Sequence, residues 1–401
     1  MTNQKSWSFT LKENERMKRR AFFSVVIILG VTPLPLSVIA QTWWDSNWQF
    51  RRSLTIDNTG NPDPLTDYQV RVNVTYDSDM QSDFDDLRFT DNDNATELLH
   101  WRENLAVSDS AIFWIKVPSI PAYSTTTIYM YYGNPSASSA GNFDDTFTKD
   151  YGDSGLAGWW HMDEGSGTTA ADGSGNGNTG MLYDDVTWTP VDGGQWDGRS
   201  DVNFSTGSAL QFDGSGDYVR FGTSGFNAHL GSVELWAKPE SLPSARAYIF
   251  CHRVGTSTTR IYLYNKKSGD FYFAIGNKFD QDSGADFALN QWYHLVLTWN
   301  YGAYYVYMNG EEVKQGTYND FSNIDPNAYL ASYKGSQEWW NGLIDEVRVY
   351  NRVLSSGEIR AHYERRKYTF PEPDILVGSE ETVDSDGDGI PDENDNCPLV
   401  F

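Results

Sequence analysis

Cysteine is almost missing from this chain: Cys251 and Cys397 are the only two in 401 residues. Two thiols give no disulfide framework, and without a CxxC pair or a Cys/His cluster they supply no zinc site of ordinary spacing. Histidine is scarce too: there are six, with His161, His294 and the others scattered and no HExxH among them. GxSxG, Gly-rich phosphate loops and Cys/His nucleophile patterns are also lacking, so no catalytic residue is assigned and the chain is not read as an enzyme. Carboxylates abound, but the sequence fixes no pair at the separation that glycoside hydrolysis needs. Cations are in deficit, 30 Lys and Arg against 55 Asp and Glu, for a net charge of −25. Such a surface repels phosphate backbones, which argues against nucleic acid and anionic lipid as partners and suits calcium.

Long apolar runs are confined to the start. "MKRR" at Met17–Arg20 precedes the apolar "AFFSVVIILGVTPLPLSVIA", with Val38 and Ala40 at the small-residue positions ahead of Gln41. Residues 1–40 therefore read as a signal peptide cut before Gln41, the natural start being Met17. The stretch is long enough to span a membrane, so a retained anchor is the alternative, although Pro33 and Pro35 interrupt it. No cysteine follows it to carry a lipid. The first forty residues hold six Lys/Arg and two Glu, so the mature chain has a net charge near −29. It contains no second span, and its expected location is outside the cell or on its surface.

Helical periodicity is lacking from Trp43 to about Phe147. "YQVRVNV" sets Val70, Val72 and Val74 on one face with polar residues between, a period of two, and "AIFWIKVPSI" and "TTTIYMYYG" repeat the theme. Turn-formers such as "DNTGNPDP" and "DNDNAT" separate them, predicting an antiparallel sandwich over 41–150. A second β-rich region spans 155–367, with strands at "SALQFDGSGDYVRF", "SVELWAKP", "RIYLYN", "DFYFAIG", "WYHLVLTW", "YYVYMNGEEV" and "NGLIDEVRVYNR". Asn309-Gly310 is the hairpin signal within it. "SSGEIRAHYE" closes it as one short helix, with Ser355 and Glu358 at capping-box spacing. Residues 368–383 read as a linker. The fold class is therefore all-β, with two antiparallel sandwiches and a short C-terminal loop.

That loop, "DSDGDGIPDENDN", places Asp384, Asp386, Asp388, Asp392 and Asp395 at positions 1, 3, 5, 9 and 12, with Gly389 at 6 and the Ile390 carbonyl at 7. This is the ligand order of a calcium loop, in which a hard cation gathers six to eight oxygens. A solvated acidic tail is the plainer alternative.

Three resemblances follow from these stretches. "WWDSNWQFRRSLTIDN", "FDDLRF" and "IYMYYGNPSA" resemble the bacterial domain of unknown function 2341, which implies a secreted β domain and no chemistry. "GLAGWWHMDEGSGTTAADGSGNGNTGML", "ALQFDGSGDYV", "WYHLVLTW" and "NGLIDEVRVYNRVLSSGEI" are similar to a laminin-G-like, concanavalin-A-like jelly roll, which implies two packed sheets that bind glycans or proteins. "DSDGDGIPDENDNCP" is similar to the thrombospondin type 3 repeat. Such repeats occur in arrays, so further domains beyond Phe401 are expected, one of them holding the disulfide partner of Cys397.

Two more groups of residues are candidates. Glu164, Asp172, Asn176 and Asp345 fall near the ends of the second domain, where an ion often clips related jelly rolls together; plain turn chemistry is the other reading. The paired site of the pentraxin form is not carried over, because "SYKGSQEWW" occupies its place. Tyr333, Trp339 and Trp340 lie in that polar loop and are read as a platform for a sugar ring, or as one Trp plugging the sandwich edge. Trp236 and Trp292 are expected in the core, and His294 facing a neighbouring strand. The chain is thus expected to be an exported, calcium-dependent, non-catalytic binding or adhesion protein that recognises a glycan or an extracellular protein. The alternatives are the accessory region of a secreted polysaccharide-degrading enzyme and a structural stalk.

Overall fold

The computed structural model describes residues 43–148, 150–190, 207–254 and 259–383. The leader, the Asp384–Asp395 loop and Cys397 lie outside them. The period-two segments all form strands. In the first sandwich these are β1 (Phe50–Asp57), β2 (Leu65–Thr75), β3 (Arg88–Thr90), β4 (His100–Ala106), β5 (Ser110–Ile120) and β6 (Thr125–Tyr132), followed by a single helical turn, α1 (Phe143–Thr146). A three-stranded sheet, β2-β5-β4, faces a second sheet that contains β3, β6 and β1. Val70, Val72 and Val74 are buried between them with Leu54, Ile56, Phe113, Ile115 and Ile128. Each such side chain contributes about 1.5–3 kcal/mol of burial free energy.

The second sandwich begins with β7 (Leu156–Trp160), β8 (Thr169–Ala170), β9 (Gly180–Tyr183) and β10 (Thr187–Pro190). It continues with β11 (Ser208–Asp213), β12 (Tyr218–Gly222), β13 (Leu230–Pro239), β14 (Arg246–Val254), β15 (Thr259–Lys266) and β16 (Asp270–Ile275). The last strands are β17 (Lys278–Asp286), β18 (Tyr293–Asn300), β19 (Ala303–Met308), β20 (Glu311–Thr317), β21 (Asn327–Leu330) and β22 (Asn341–Tyr350). The sheet β10-β11-β22-β13-β18-β19-β20, with β7 added alongside β22, packs on the sheet β17-β16-β15-β14-β21-β12-β9-β8. As expected, the first and last strands of the domain meet, Trp160 pairing with Val347. Asn309 and Gly310 have φ of 54° and 79°, so both centre residues of the β19–β20 turn take the left-handed conformation that a tight hairpin requires. Helix α2 (Ser356–Tyr363) starts with the expected capping box between Ser355 and Glu358.

One boundary differs from the sequence reading. Residues 368–383 are not simply a linker: β23 (Asp374–Thr382) pairs antiparallel with β1, from Phe50 opposite Thr382 to Asp57 opposite Asp374. The first sandwich is therefore built from two stretches of chain, and the jelly roll is inserted between them. Arg51 binds Glu381 at 2.7 Å, and Arg52 binds Glu380 at 3.3 Å. The strand escaped notice because it is an edge: Leu376 is 73% exposed, and no alternation marks it.

The two domains share an aromatic seam. Trp101, Trp114 and Phe147 of the first pack with Ala209, Trp236, Trp292 and Leu343 of the second. The outgoing and returning connections are also bonded together, Thr148 N–H donating to the Arg365 carbonyl at 2.9 Å.

Candidate functional site

Alternation on β15 decides what the outer face of its sheet carries. In "RIYLYN" Ile261 and Leu263 enter the core between the sheets, which leaves Arg260, Tyr262 and Tyr264 to the other side. Phe271 and Phe273 of β16 go inward in the same way and Tyr272 outward. On β14 a bulge after Tyr248 shifts the register, so Phe250 joins the core and Cys251 the outer cluster. Burial pushes the Cys251 thiol up to about 12, so it is an inert apolar side chain. The outer face is thereby carpeted with tyrosine. Tyr248 lies 5.1 Å from Tyr262, 5.2 Å from Tyr264 and 5.3 Å from Tyr333, centroid to centroid. Across β21 and β12, Tyr218 stacks on Tyr183 at 4.5 Å.

A cleft of about 310 Å³ opens on this face. Tyr248, Tyr262 and Tyr333 line it together with Arg246, Arg253 and Arg260, and Phe279, Gln337 and Glu338 complete the wall. Phe279 is 40% exposed and lies between two guanidinium groups, Arg260 at 4.9 Å and Arg246 at 5.3 Å from its ring centre. Arg253 lies 5.7 Å from the Tyr333 ring, and Arg246 is ion-paired with Glu338 at 2.8 Å. The Tyr262 hydroxyl and the Arg260 Nε are buried with no hydrogen-bond partner among the described residues. Flat apolar rings with charged and polar edges suit a ligand with both an apolar face and hydroxyl or acidic groups.

Of the proposed platform, Tyr333 lines this cleft. Trp340 does not: it is 0% exposed, packed in the sandwich core at 6.3 Å from Phe287, and offers no surface to a sugar. This corrects the sequence reading in favour of the plug. Successive residues of an extended chain face opposite ways, and Trp340 takes the inward side while Trp339 is half-buried and outside the cleft wall. Sequence reasoning missed Arg246, Arg253, Arg260, Tyr248, Tyr262 and Phe279. The signal for the β15 members was there, since "RIYLYN" is apolar on one face and tyrosine on the other.

The residues of the second proposed calcium site are spent on backbone. Asp172 accepts N–H bonds from Trp159, Ser174 and Asn178, at 3.0, 2.9 and 2.8 Å. Glu164 accepts from the Ala171 N–H at 2.6 Å, and Asn176 donates to the Leu156 carbonyl at 3.1 Å. Asp345 is buried on β22, accepting from the Glu346 N–H at 2.8 Å. For Glu164, Asp172 and Asn176 these are the bonds of tight turns, whereas Asp345 lies within a strand. Among the described residues, the acidic groups that do converge are His161–Asp163–Glu346, Asp77–Asp79–Glu380 and Asp184–Asp185–Asp217. Cations answer part of the charge in the first two, whereas in the third burial and the neighbouring Asp185 and Asp213 push the Asp217 carboxyl up to about 6. Glu346 holds His161 at 3.2 Å and Arg348 at 2.8 Å, and Arg52 binds both Asp77 and Glu380. Asp217 accepts the N–H groups of Asp185 and Asp213.

The opposite sheet carries a buried charge network on its outer face. Glu234 accepts from His294 Nε2 and His362 Nδ1, each at 2.9 Å, and His362 Nε2 lies 3.2 Å from Asp153. Burial alone would raise the Glu234 carboxyl, but the charge on His362 and the two imidazole bonds hold it well below the usual carboxylate range. His362 is raised to about 9, because Glu234 and Asp153 outweigh the burial that opposes its charge. Burial keeps His294 low and neutral. The array has the composition of a proton relay, but Glu234, His294 and His362 are each 0% exposed. It fastens α2 and the outgoing connection to the sheet.

Residues 213–360 match the family model of the concanavalin A-like lectin/glucanases superfamily, and residues 83–156 match that of a domain of unknown function, 2341. A comparison with curated proteins returned no match. Among solved structures, domain 4 of AbnA, a GH43 extracellular arabinanase from Geobacillus stearothermophilus, in complex with arabinotriose, is 22% identical, with a TM-score of 0.42. That alignment covers 52% of this chain and 98% of the other. The botulinum neurotoxin serotype D binding domain is 16% identical with a TM-score of 0.41, over 52% of this chain and 51% of the other. At these identities the likeness concerns fold alone.

Proposed function

We propose that the jelly roll is a non-catalytic glycan-binding module and that the tyrosine-lined cleft on its outer face is the binding site. The observation that carries this reading is the cleft wall. Tyr333 and Phe279 offer partly exposed rings beside the Tyr262 hydroxyl, a donor that is 1% exposed and unpartnered among the described residues. A buried donor without an acceptor costs about 1–3 kcal/mol, which a ligand oxygen would recover. Ring faces stack on the C–H face of a pyranose, and the donor at the wall fixes its orientation.

The same reading has the chain exported by its first forty residues and binding calcium through the Asp384–Asp395 loop. The leader pattern and the loop's ligand spacing support these two points. No helix among the described residues is long and apolar enough to cross a membrane.

The test is a glycan array probed with the full chain and with Tyr333→Ala. The wild type should bind a defined set of glycans, and the variant should lose about tenfold in affinity or more, as truncation of a recognition-site aromatic does, with its thermal midpoint unchanged. Equal binding by both proteins, or none by the wild type, refutes the site.

A further inference from the structure

We infer, granting that the cleft binds glycan, that its ligand is an acidic glycan, a chain bearing carboxylate or sulfate groups. The chain as a whole carries −25, a charge that repels polyanions. The cleft runs against that field. Arg246, Arg253 and Arg260 line it with one carboxylate, Glu338, which is ion-paired with Arg246 at 2.8 Å. Lys334, on the adjoining loop, lies 3.6 Å from Asp325, so that pair adds no net charge. Arg260 has no carboxylate partner among the described residues, so the wall keeps at least this positive charge in a protein that is otherwise strongly acidic. A neutral sugar gains little from such an island, whereas an anionic one is excluded elsewhere and attracted here.

The polar atoms left over point the same way. Arg260 Nε and the Tyr262 hydroxyl occupy alternate positions on β15, are buried, and lack acceptors among the described residues. Both are donors. A sugar hydroxyl arrives with a proton of its own to place, but a carboxylate or sulfate oxygen only accepts. The choice of arginine matters as well. A guanidinium presents a planar fork of N–H groups that matches two oxygens of a carboxylate or sulfate, and such charge-assisted pairs are about twice as strong as neutral ones. Arg260 is held over the Phe279 ring at 4.9 Å, which limits the freedom it would lose on pairing with an anion.

The experiment titrates the full chain with polygalacturonate and with dextran sulfate, each against a neutral counterpart, methyl-esterified polygalacturonate and plain dextran. A chelator is present throughout, so that calcium cannot bridge protein and polymer. At least one acidic polymer should bind about tenfold tighter than its neutral partner, and binding should weaken between about 0.05 M and about 0.5 M salt. The arm that binds distinguishes carboxylate from sulfate. Arg260→Gln should lose about tenfold of that affinity and Arg260→Lys only part of it, with neither moving the thermal midpoint. If neutral polymers bind as tightly as acidic ones and Tyr333→Ala weakens them, the glycan site stands and its acidic preference falls. If no polymer binds, both fall. Acidic binding that persists in Arg260→Gln also overturns the inference.

Discussion

Replacing Glu234 by Gln tests how the jelly roll holds the helix and connection that join it to the first sandwich. In the wild type His362 keeps its proton to about pH 9, against an ordinary 6.5. Its stabilisation is therefore complete below pH 6.5 and is lost as the pH rises from 6.5 through 9, where the unfolded chain is already neutral at this residue. A tenfold change in proton affinity is worth about 1.4 kcal/mol, so the wild type should lose roughly 3 kcal/mol across that window. In Glu234→Gln, His362 keeps Asp153 at 3.2 Å and faces a neutral amide in place of its 2.9 Å carboxylate partner. The variant should be about 3–5 kcal/mol less stable near pH 6, where a buried imidazolium has lost its main counter-charge. Near pH 9.5 the imidazole is neutral in both proteins and the gap should shrink to about 1 kcal/mol, the worth of an altered hydrogen bond. Urea unfolding of both proteins across this range gives the two curves. Parallel loss of stability in variant and wild type between pH 6.5 and 9 refutes the assignment of charge to His362.

Two further outcomes are expected. Calorimetric titration of the demetallated full chain with calcium should show binding that Asp386→Ala with Asp388→Ala abolishes; unchanged binding in the double variant removes the calcium loop. Trp340→Ala should cost about 3–5 kcal/mol of stability, because it empties a core position, whereas Tyr333→Ala should leave stability nearly unchanged; the reverse order on urea unfolding would contradict their placement.

How far the fold was legible depended on whether a segment met solvent on one face. β2 buries every second residue from Val70 to Val74, β15 sends Ile261 and Leu263 to the inter-sheet core and its tyrosines to the other side, and both were read as strands. The capping box at Ser355 and the turn at Asn309-Gly310 are local devices, complete within a few residues, and they were legible for that reason. β14 was not, because the bulge after Tyr248 breaks its alternation. β23 lacks a buried face altogether and forms because β1 offers it an open edge more than three hundred residues earlier in the chain. The binding surface was harder still. Tyr262 and Tyr264 could be placed on one face by period two, but bringing Arg253, Arg260 and Tyr333 to one cleft requires the strand order β15-β14-β21 and the loop after it. The adjacent tryptophans were conspicuous by composition and were both placed on the platform, with one of them plugging the sandwich edge as the other reading; two aromatics side by side on an extended chain cannot share a face, and Trp340 takes the inward one.

The insertion of the jelly roll into the first sandwich assigns its two outer faces different work. Both are unusually aromatic. On the β13–β22 sheet Trp236, with neighbouring Trp292 and Leu343, is covered by Trp101, Trp114 and Phe147 of the first sandwich, and Glu234 and His294 by α2. On the β14–β15 sheet the tyrosines are roofed only in part, by the loop that carries Tyr333 and Glu338, and a cleft remains. The chain then returns to pair with β1, so Asp384 follows within two residues of an edge strand of the first sandwich. The acidic segment that starts at Asp384 therefore follows directly on the first sandwich, whose sheet β23 completes. The first sandwich thus lies between the jelly roll and the acidic C-terminal segment, tied by the bonded connections at Thr148 and Arg365 and by the β1–β23 ladder, in place of the single flexible linker that the order of domains along the sequence suggests.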